Sequence, residues 1–67
     1  MIKNKIKIIR KEKGMTLYRL AYLSGISAGY LCHLEKGTRN NPSLEVMERI
    51  SKSLNKSIAD FFFNEKN

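Results

Sequence analysis

The chain has 67 residues and a formal net charge of +7, which limits both its architecture and its partners. We assign residues 1–67 to one domain, because this length leaves no room for a second one. An excess of basic over acidic residues favours a polyanionic partner, although a charged surface that serves only solubility would look the same.

No apolar run reaches the length of roughly 18 residues that a membrane span needs. The first 13 residues lack the continuous apolar region of a signal peptide. The single cysteine excludes an internal disulfide, and we therefore expect a cytoplasmic protein.

The first half of the chain predicts three short helices. Ile2, Ile6 and Ile9 share one face of the first helix, which Gly14 is expected to end. Thr16 can cap a second helix that runs to about residue 24, and Ser27 can cap a third that stops near residue 37. Between them, Gly25 suits a left-handed turn position. Residues 17–37, with the sequence LYRLAYLSGISAGYLCHLEKG, thus predict two helices bent around a glycine, an arrangement that leaves one helix free for the major groove of DNA.

The second half predicts two further helices and the closure of the core. Ser43 can cap a fourth helix, and Asn55 suits its end. The apolar residues of that helix that we place on its inner face are Leu44, Met47, Ile50 and Leu54. Ser57 followed by Asp60 matches the capping pattern of a short fifth helix.

We expect Ile58, Phe61 and Phe62 to close a core that spans residues 5–62. The third phenylalanine, Phe63, is left for the surface or for a dimer interface. No stretch alternates as a strand should, and residues 64–67 are expected to fray.

Six motifs in order resemble the Cro/C1-type helix-turn-helix proteins, also called the XRE family. They are the IRKEKGMT opening, LA and SGIS at the turn, YL with LEKG, and NPSLE leading to the last helix. The NNPSLEVMERIS stretch is most similar to the SinR type of Gram-positive regulators. The resemblance covers about residues 5–62. It implies an all-α, lambda repressor-like bundle of five short helices that binds DNA.

The resemblance also implies roles for individual residues. Family members often pair an arginine late in the first helix with a glutamate late in the third, and Arg10 and Glu35 stand at those positions. The implied contacts to base edges are Ser27, Ala28, Gly29, Cys32 and His33. The implied contacts to the DNA backbone are Thr16, Tyr30, Lys36, Thr38, Arg39, Asn40 and Asn41.

The chain departs from the family pattern at two places. Many members carry glutamine directly after the second helix's cap, where this chain has Leu17. Many also place long polar side chains at the start of the third helix, where this chain has Ala28 and Gly29. Neither of these side chains can form the paired hydrogen bonds that distinguish bases. Direct readout is therefore expected from Ser27, His33 and the following loop, with DNA shape supplying the rest.

The sequence contains few residues that could bind a metal or catalyse a reaction. Cys32 and His33 are adjacent on a helix, so they diverge by roughly 100° and cannot converge on one ion. No second cysteine or histidine exists to complete a zinc site. We predict no enzyme activity, no metal and no cofactor. Cys32 as a redox sensor in the DNA-binding face is a less favoured alternative.

The sequence therefore predicts a transcriptional regulator, most simply a repressor that binds duplex DNA as a homodimer. Dimerisation would also support a core that is too small to supply much stability alone. A restriction–modification controller is an open alternative, because such proteins are short members of the same family. An antitoxin-type role, in which binding another protein is the main task, is a second alternative. A regulatory protein partner would also fit, whereas a membrane partner would not.

Overall fold

The computed structural model describes residues 2–39 and 41–64, which form five helices and a two-stranded antiparallel ribbon. The elements in chain order are β1 Ile2–Asn4, α1 Ile6–Glu12, α2 Leu17–Ser24, α3 Ala28–Lys36, α4 Leu44–Leu54, α5 Ile58–Phe61 and β2 Phe62–Asn64. The five predicted helices are confirmed in this order.

Local chemistry explains where the three central helices begin and end. The side chains of Thr16, Ser27 and Ser43 accept hydrogen bonds from the backbone N–H groups of Arg19, Tyr30 and Val46 at 3.0, 3.1 and 3.2 Å. Each bond satisfies one of the N–H groups that the first turn of a helix leaves unpaired. At the C-termini Gly25, Gly37 and Asn55 take left-handed conformations, with φ of 71°, 87° and 56°.

The short helix α5 begins with the predicted capping pattern. The Asp60 carboxylate accepts a hydrogen bond from the backbone N–H of Ser57 at 3.0 Å. This bond favours the ionised carboxylate and lowers the pKa of Asp60 below its usual value. This capping box marks the start of α5.

The core draws on every helix. The fully buried side chains are Ile6, Leu20, Leu31, Leu34, Ile50, Leu54 and Phe61. The rings of Phe61 and Phe62 lie 4.8 Å apart, and both are buried as predicted, with Ile58 partly buried beside the core. The side chain of Phe63 lies outside the described part of the chain, so its predicted exposure stays a prediction.

Leu44 corrects the predicted inner face of α4. Its side chain is 61% exposed, although Met47, Ile50 and Leu54 follow it at helical spacing and do pack inward. Leu44 is the first residue of the helix. The first turn contacts the core through Val46 and Met47 instead, so helical spacing alone overstated the length of the buried stripe.

The paired termini correct two expectations. Residue Ile2 lies in β1 rather than in the first helix, and Asn64 pairs with it instead of fraying. The backbone N–H of Lys5 continues the pairing by donating to the Phe61 carbonyl at 2.7 Å. The sequence shows no alternating stretch here because strands of three residues are too short to display one. Their pairing depends on tertiary contact between the chain's two ends. Residues 65–67, also expected to fray, lie outside the described residues.

Among the described residues, no helix is both long enough and apolar enough to cross a membrane.

Two glycines near the turn between α2 and α3 should differ in how substitution by alanine changes the stability of the fold. One substitution should destabilise it and the other should stabilise it. Gly25 has φ of +71°, and an added Cβ would lie 3.0 Å from Arg49 Nη1, so Gly25→Ala should cost about 1–2 kcal/mol of stability. Gly29 lies within α3 with open space around the missing Cβ, so Gly29→Ala should stabilise by about 0.5–1 kcal/mol. Urea unfolding of both variants checks this, and destabilisation by Gly29→Ala would contradict it.

Candidate nucleic-acid interface

Helices α2 and α3 form a bent pair that buries one side of each helix. Leu20 of α2 and Leu31 and Leu34 of α3 are fully buried, and the small Ala21 is partly buried against the core. The backbone N–H of Gly25 donates to the Ala21 carbonyl at 2.9 Å and closes α2. Since these apolar contacts fix one side of α3, its opposite side faces solvent.

Arg10 and Glu35 form a bidentate ion pair between α1 and α3. Arg10 Nε lies 2.7 Å from Glu35 Oε2, and Arg10 Nη2 lies 3.2 Å from Oε1. Arg10 Nη1 also donates to the Met15 carbonyl at 2.7 Å. The two side chains are only 10% and 6% exposed. One guanidinium therefore joins α1, the segment before α2 and the end of α3.

Two further contacts that hold α3 and the turn were not predicted from the sequence. Asn4 Nδ2 donates to the Leu34 carbonyl at 3.1 Å, while Asn4 Oδ1 accepts from the Ile6 N–H at 3.0 Å. Arg49 pairs with Glu45 at 2.9 Å, and its Nη1 lies 3.5 Å from the Ser24 carbonyl. Only the four-residue spacing of Glu45 and Arg49 was a readable signal. The contact of Asn4 with α3 joins residues that are thirty positions apart, so no local pattern reveals it.

The capping hydroxyls at the starts of α2 and α3 remain available as donors. Thr16 and Ser27 are both exposed, and each uses its oxygen as an acceptor for a backbone N–H. A hydroxyl that accepts in this way still has one proton to donate. Both residues can therefore bind an acceptor such as a phosphate oxygen or a base oxygen.

At the other end of α3, His33 and Thr38 contact each other rather than standing apart. His33 Nδ1 lies 2.9 Å from Thr38 Oγ1, and that hydroxyl donates to the His33 carbonyl at 3.0 Å. The ring is exposed, and its Nδ1 is engaged within the protein. Only Nε2 of this ring is thus available to an external partner.

The loop that follows α3 presents a cation over an aromatic ring. The guanidinium carbon of Arg39 lies 5.7 Å from the centroid of the Tyr30 ring. This cation–π contact restrains the Arg39 side chain while leaving the residue exposed. Lys36, in the last turn of α3, is exposed as well. The two cations can bind phosphate groups beside the helix.

The remaining predicted contact residues differ in accessibility. Gly29 and Asn41 are exposed, whereas Ala28 and Cys32 are half-buried. Asn40 lies outside the described residues. Leu17, where many family members carry glutamine, packs against the core. The described residues contain no group of three or more His, Cys, Asp or Glu side chains that could hold a metal ion.

The sequence profile of the helix-turn-helix family matches residues 6–61. Among curated proteins, the chain is similar to the HTH-type transcriptional regulator SinR of Bacillus licheniformis, with 39% identity over 66 residues. That alignment covers 98% of this chain and 59% of SinR. The chain thus spans little more than half the length of this relative.

Solved structures of SinR and of a restriction–modification controller are also similar to this chain. A structure of SinR, the master regulator for biofilm formation, in complex with DNA is 38% identical, with a TM-score of 0.79 over 82% of this chain and 87% of that one. The SinR–SinI complex is 39% identical, with a TM-score of 0.77 over 81% of this chain and 52% of that one. The restriction–modification controller protein C.AhdI of Aeromonas hydrophila is 28% identical, with a TM-score of 0.79. That alignment covers 84% of this chain and 83% of C.AhdI.

Breaking the Arg10–Glu35 pair from one side should destabilise the fold severely. Arg10→Met and Glu35→Leu each leave a buried charge without its partner, which typically costs about 3–5 kcal/mol. A domain of this size seldom draws more than about that amount from its core. Each single variant should therefore be largely unfolded, and the double variant should recover helical content in circular dichroism and urea unfolding.

The Glu45–Arg49 pair provides the control, because its side chains are 72% and 49% exposed. A double-mutant cycle on this pair should give a coupling of only about 0.3–0.5 kcal/mol. Strict additivity of the Arg10 and Glu35 substitutions would show that the buried pair is not coupled.

Proposed function

Because this chain belongs to the helix-turn-helix family, we propose that it binds duplex DNA at specific sequences and regulates transcription. The observation that carries the proposal is the bent α2–α3 pair, which matches the fold of SinR in its DNA complex and leaves one side of α3 exposed. The net charge of +7 supports a polyanionic partner. The activity is binding in the cytoplasm, at the nucleoid, without a cofactor or a catalytic step.

In this proposal α3 lies in the major groove and its neighbours bind the DNA backbone. The residues assigned to base edges are Ser27, Ala28, Gly29, Cys32 and His33. The residues assigned to phosphate and sugar are Thr16, Tyr30, Lys36, Arg39, Asn40 and Asn41. Thr38 stays in this proposed group, and its hydroxyl also contacts His33. Backbone contacts position the protein, and base contacts select the sequence.

The proposed active form is a homodimer that represses transcription. Two copies would place two α3 helices in successive major grooves, a spacing that a palindromic site matches. The small core also favours assembly, because association adds to the stability of the folded chain. Repression as the sign of regulation is supported by the similarity to the immunity repressor protein of Bacillus phage phi105, which is 40% identical over 50 residues.

Two observations favour related roles. The similarity to C.AhdI favours a controller of a restriction–modification system, which would be the same DNA-binding activity at a different promoter. The SinR–SinI complex favours control by a protein partner. A neighbouring restriction or methylation gene would select the first role. Loss of DNA binding on addition of a co-encoded small protein would select the second.

Selection from a randomised duplex library tests the proposed function. We expect one enriched, two-fold symmetric site whose binding depends strongly on salt. If about 6–10 phosphates are contacted, affinity should fall by about 10³–10⁵ between 50 and 200 mM salt. Failure to enrich any site would overturn the function, and a flat salt response would overturn its electrostatic basis.

His33→Ala and Arg39→Ala should affect binding in different ways. Only His33 Nε2 is available, so losing it should cost about 0.5–1.5 kcal/mol on the selected site, the net value of one hydrogen bond, and little on random DNA. Arg39→Ala should weaken selected and random DNA by the same factor, because phosphate contacts carry no sequence information. A panel of sites with single-base changes measures both effects. Equal weakening of every site by His33→Ala would show that this residue does not read sequence.

A further inference from the structure

We propose that Thr38 holds the His33 ring in the tautomer whose Nε2 accepts a hydrogen bond, so that His33 selects a base that offers an amino group. In the major groove this group is N6 of adenine or N4 of cytosine. The inference rests on the proposed function, since it specifies what one residue of the DNA-binding surface reads. Thr38 acts as a positioning residue and needs no contact with DNA.

The proposed tautomer is the one in which the Thr38 hydroxyl donates to the His33 carbonyl. This hydroxyl donates to the His33 carbonyl at 3.0 Å, and a hydroxyl has only one proton. With its proton on that carbonyl, the hydroxyl oxygen accepts from His33 Nδ1, which lies 2.9 Å away. In this arrangement Nδ1 carries the proton of the neutral ring, and Nε2 is left with a lone pair.

The end of α3 fixes Thr38 in this position. The backbone N–H groups of Thr38 and Arg39 donate to the same His33 carbonyl at 3.0 and 3.2 Å. Gly37, in its left-handed conformation, makes the turn that brings Thr38 back over His33. The opposite arrangement, with the hydroxyl proton on Nδ1 and the ring proton on Nε2, would read a base acceptor such as guanine O6.

An Nε2 that accepts a hydrogen bond can bind a base edge but not the phosphate backbone of DNA. Phosphate oxygens only accept hydrogen bonds, so a neutral ring of this tautomer cannot bind them. The groove edges, by contrast, carry amino donors. One turn earlier on the same helix, Gly29 has no side chain that could compete for that group, and Ala28 has no polar atom. The readout therefore falls on His33.

The first experiment uses the free protein. The ¹⁵N spectrum of the ring, recorded at alkaline pH, should show a protonated Nδ1 and an unprotonated Nε2. Thr38→Val should abolish this preference and Thr38→Ser should keep it, while circular dichroism confirms that both variants fold. A ring with its proton on Nε2 would overturn the proposal.

The second experiment uses the selected DNA site. Each adenine is replaced in turn by a purine without the 6-amino group, and each cytosine by 2-pyrimidinone, which lacks the 4-amino group. At one position this should weaken the wild type by about two- to tenfold, as expected for one hydrogen bond. His33→Ala and Thr38→Val should lose no further affinity there. Thr38→Ser and Arg39→Ala should respond as the wild type does.

Because all proteins are compared on the same modified DNA, altered base pairing cancels in the comparison. Equal losses for wild type and His33→Ala at every position would overturn the inference while leaving sequence-specific binding intact. Failure to enrich any site would instead overturn the proposed function, and this inference with it.

Discussion

The buried pair of Arg10 and Glu35 is the constraint on which the placement of the exposed helix depends. Its two hydrogen bonds join α1 to the end of α3, and a third bond from the same guanidinium reaches the Met15 carbonyl just before α2. Two neighbouring segments of the chain and a third that is 25 residues away thus meet at one planar group. Arginine suits this task because its fork of donors can bind a carboxylate and a carbonyl at the same time. A lysine would offer charge without that geometry.

Helix α3 serves both the core and the outer surface, and the two roles occupy opposite sides. Leu31 and Leu34 anchor it, with Asn4 binding the Leu34 carbonyl from the terminal ribbon. The outer side carries few long polar side chains, so that specificity would come from few groups. A rigid support then matters more, because one well-placed hydrogen bond can discriminate only if its geometry is fixed.

The two ends of α3 differ in chemistry. At its start, Ser27 satisfies the helix N-terminus and keeps a proton to donate. At its end, Gly37 reverses the chain so that Thr38 contacts the His33 ring, and Arg39 lies over Tyr30. The cap therefore does more than end the helix, because it also orients the side chains that face outward. Helix capping and the proposed recognition of DNA thus use the same few residues.

The sequence by itself determined the five helices and most of the core. Their signals are local: capping residues such as Thr16, a left-handed position at Gly25 and apolar residues at helical spacing lie within a few residues of each other. The family resemblance placed Arg10 and Glu35 together, which their positions in the chain alone could not do. Only the tertiary structure decided the ribbon of the two termini, the exposure of Leu44 and the contacts of Asn4. It also decided that Thr38 contacts His33, because these features depend on where distant segments meet or on how a turn directs its side chains.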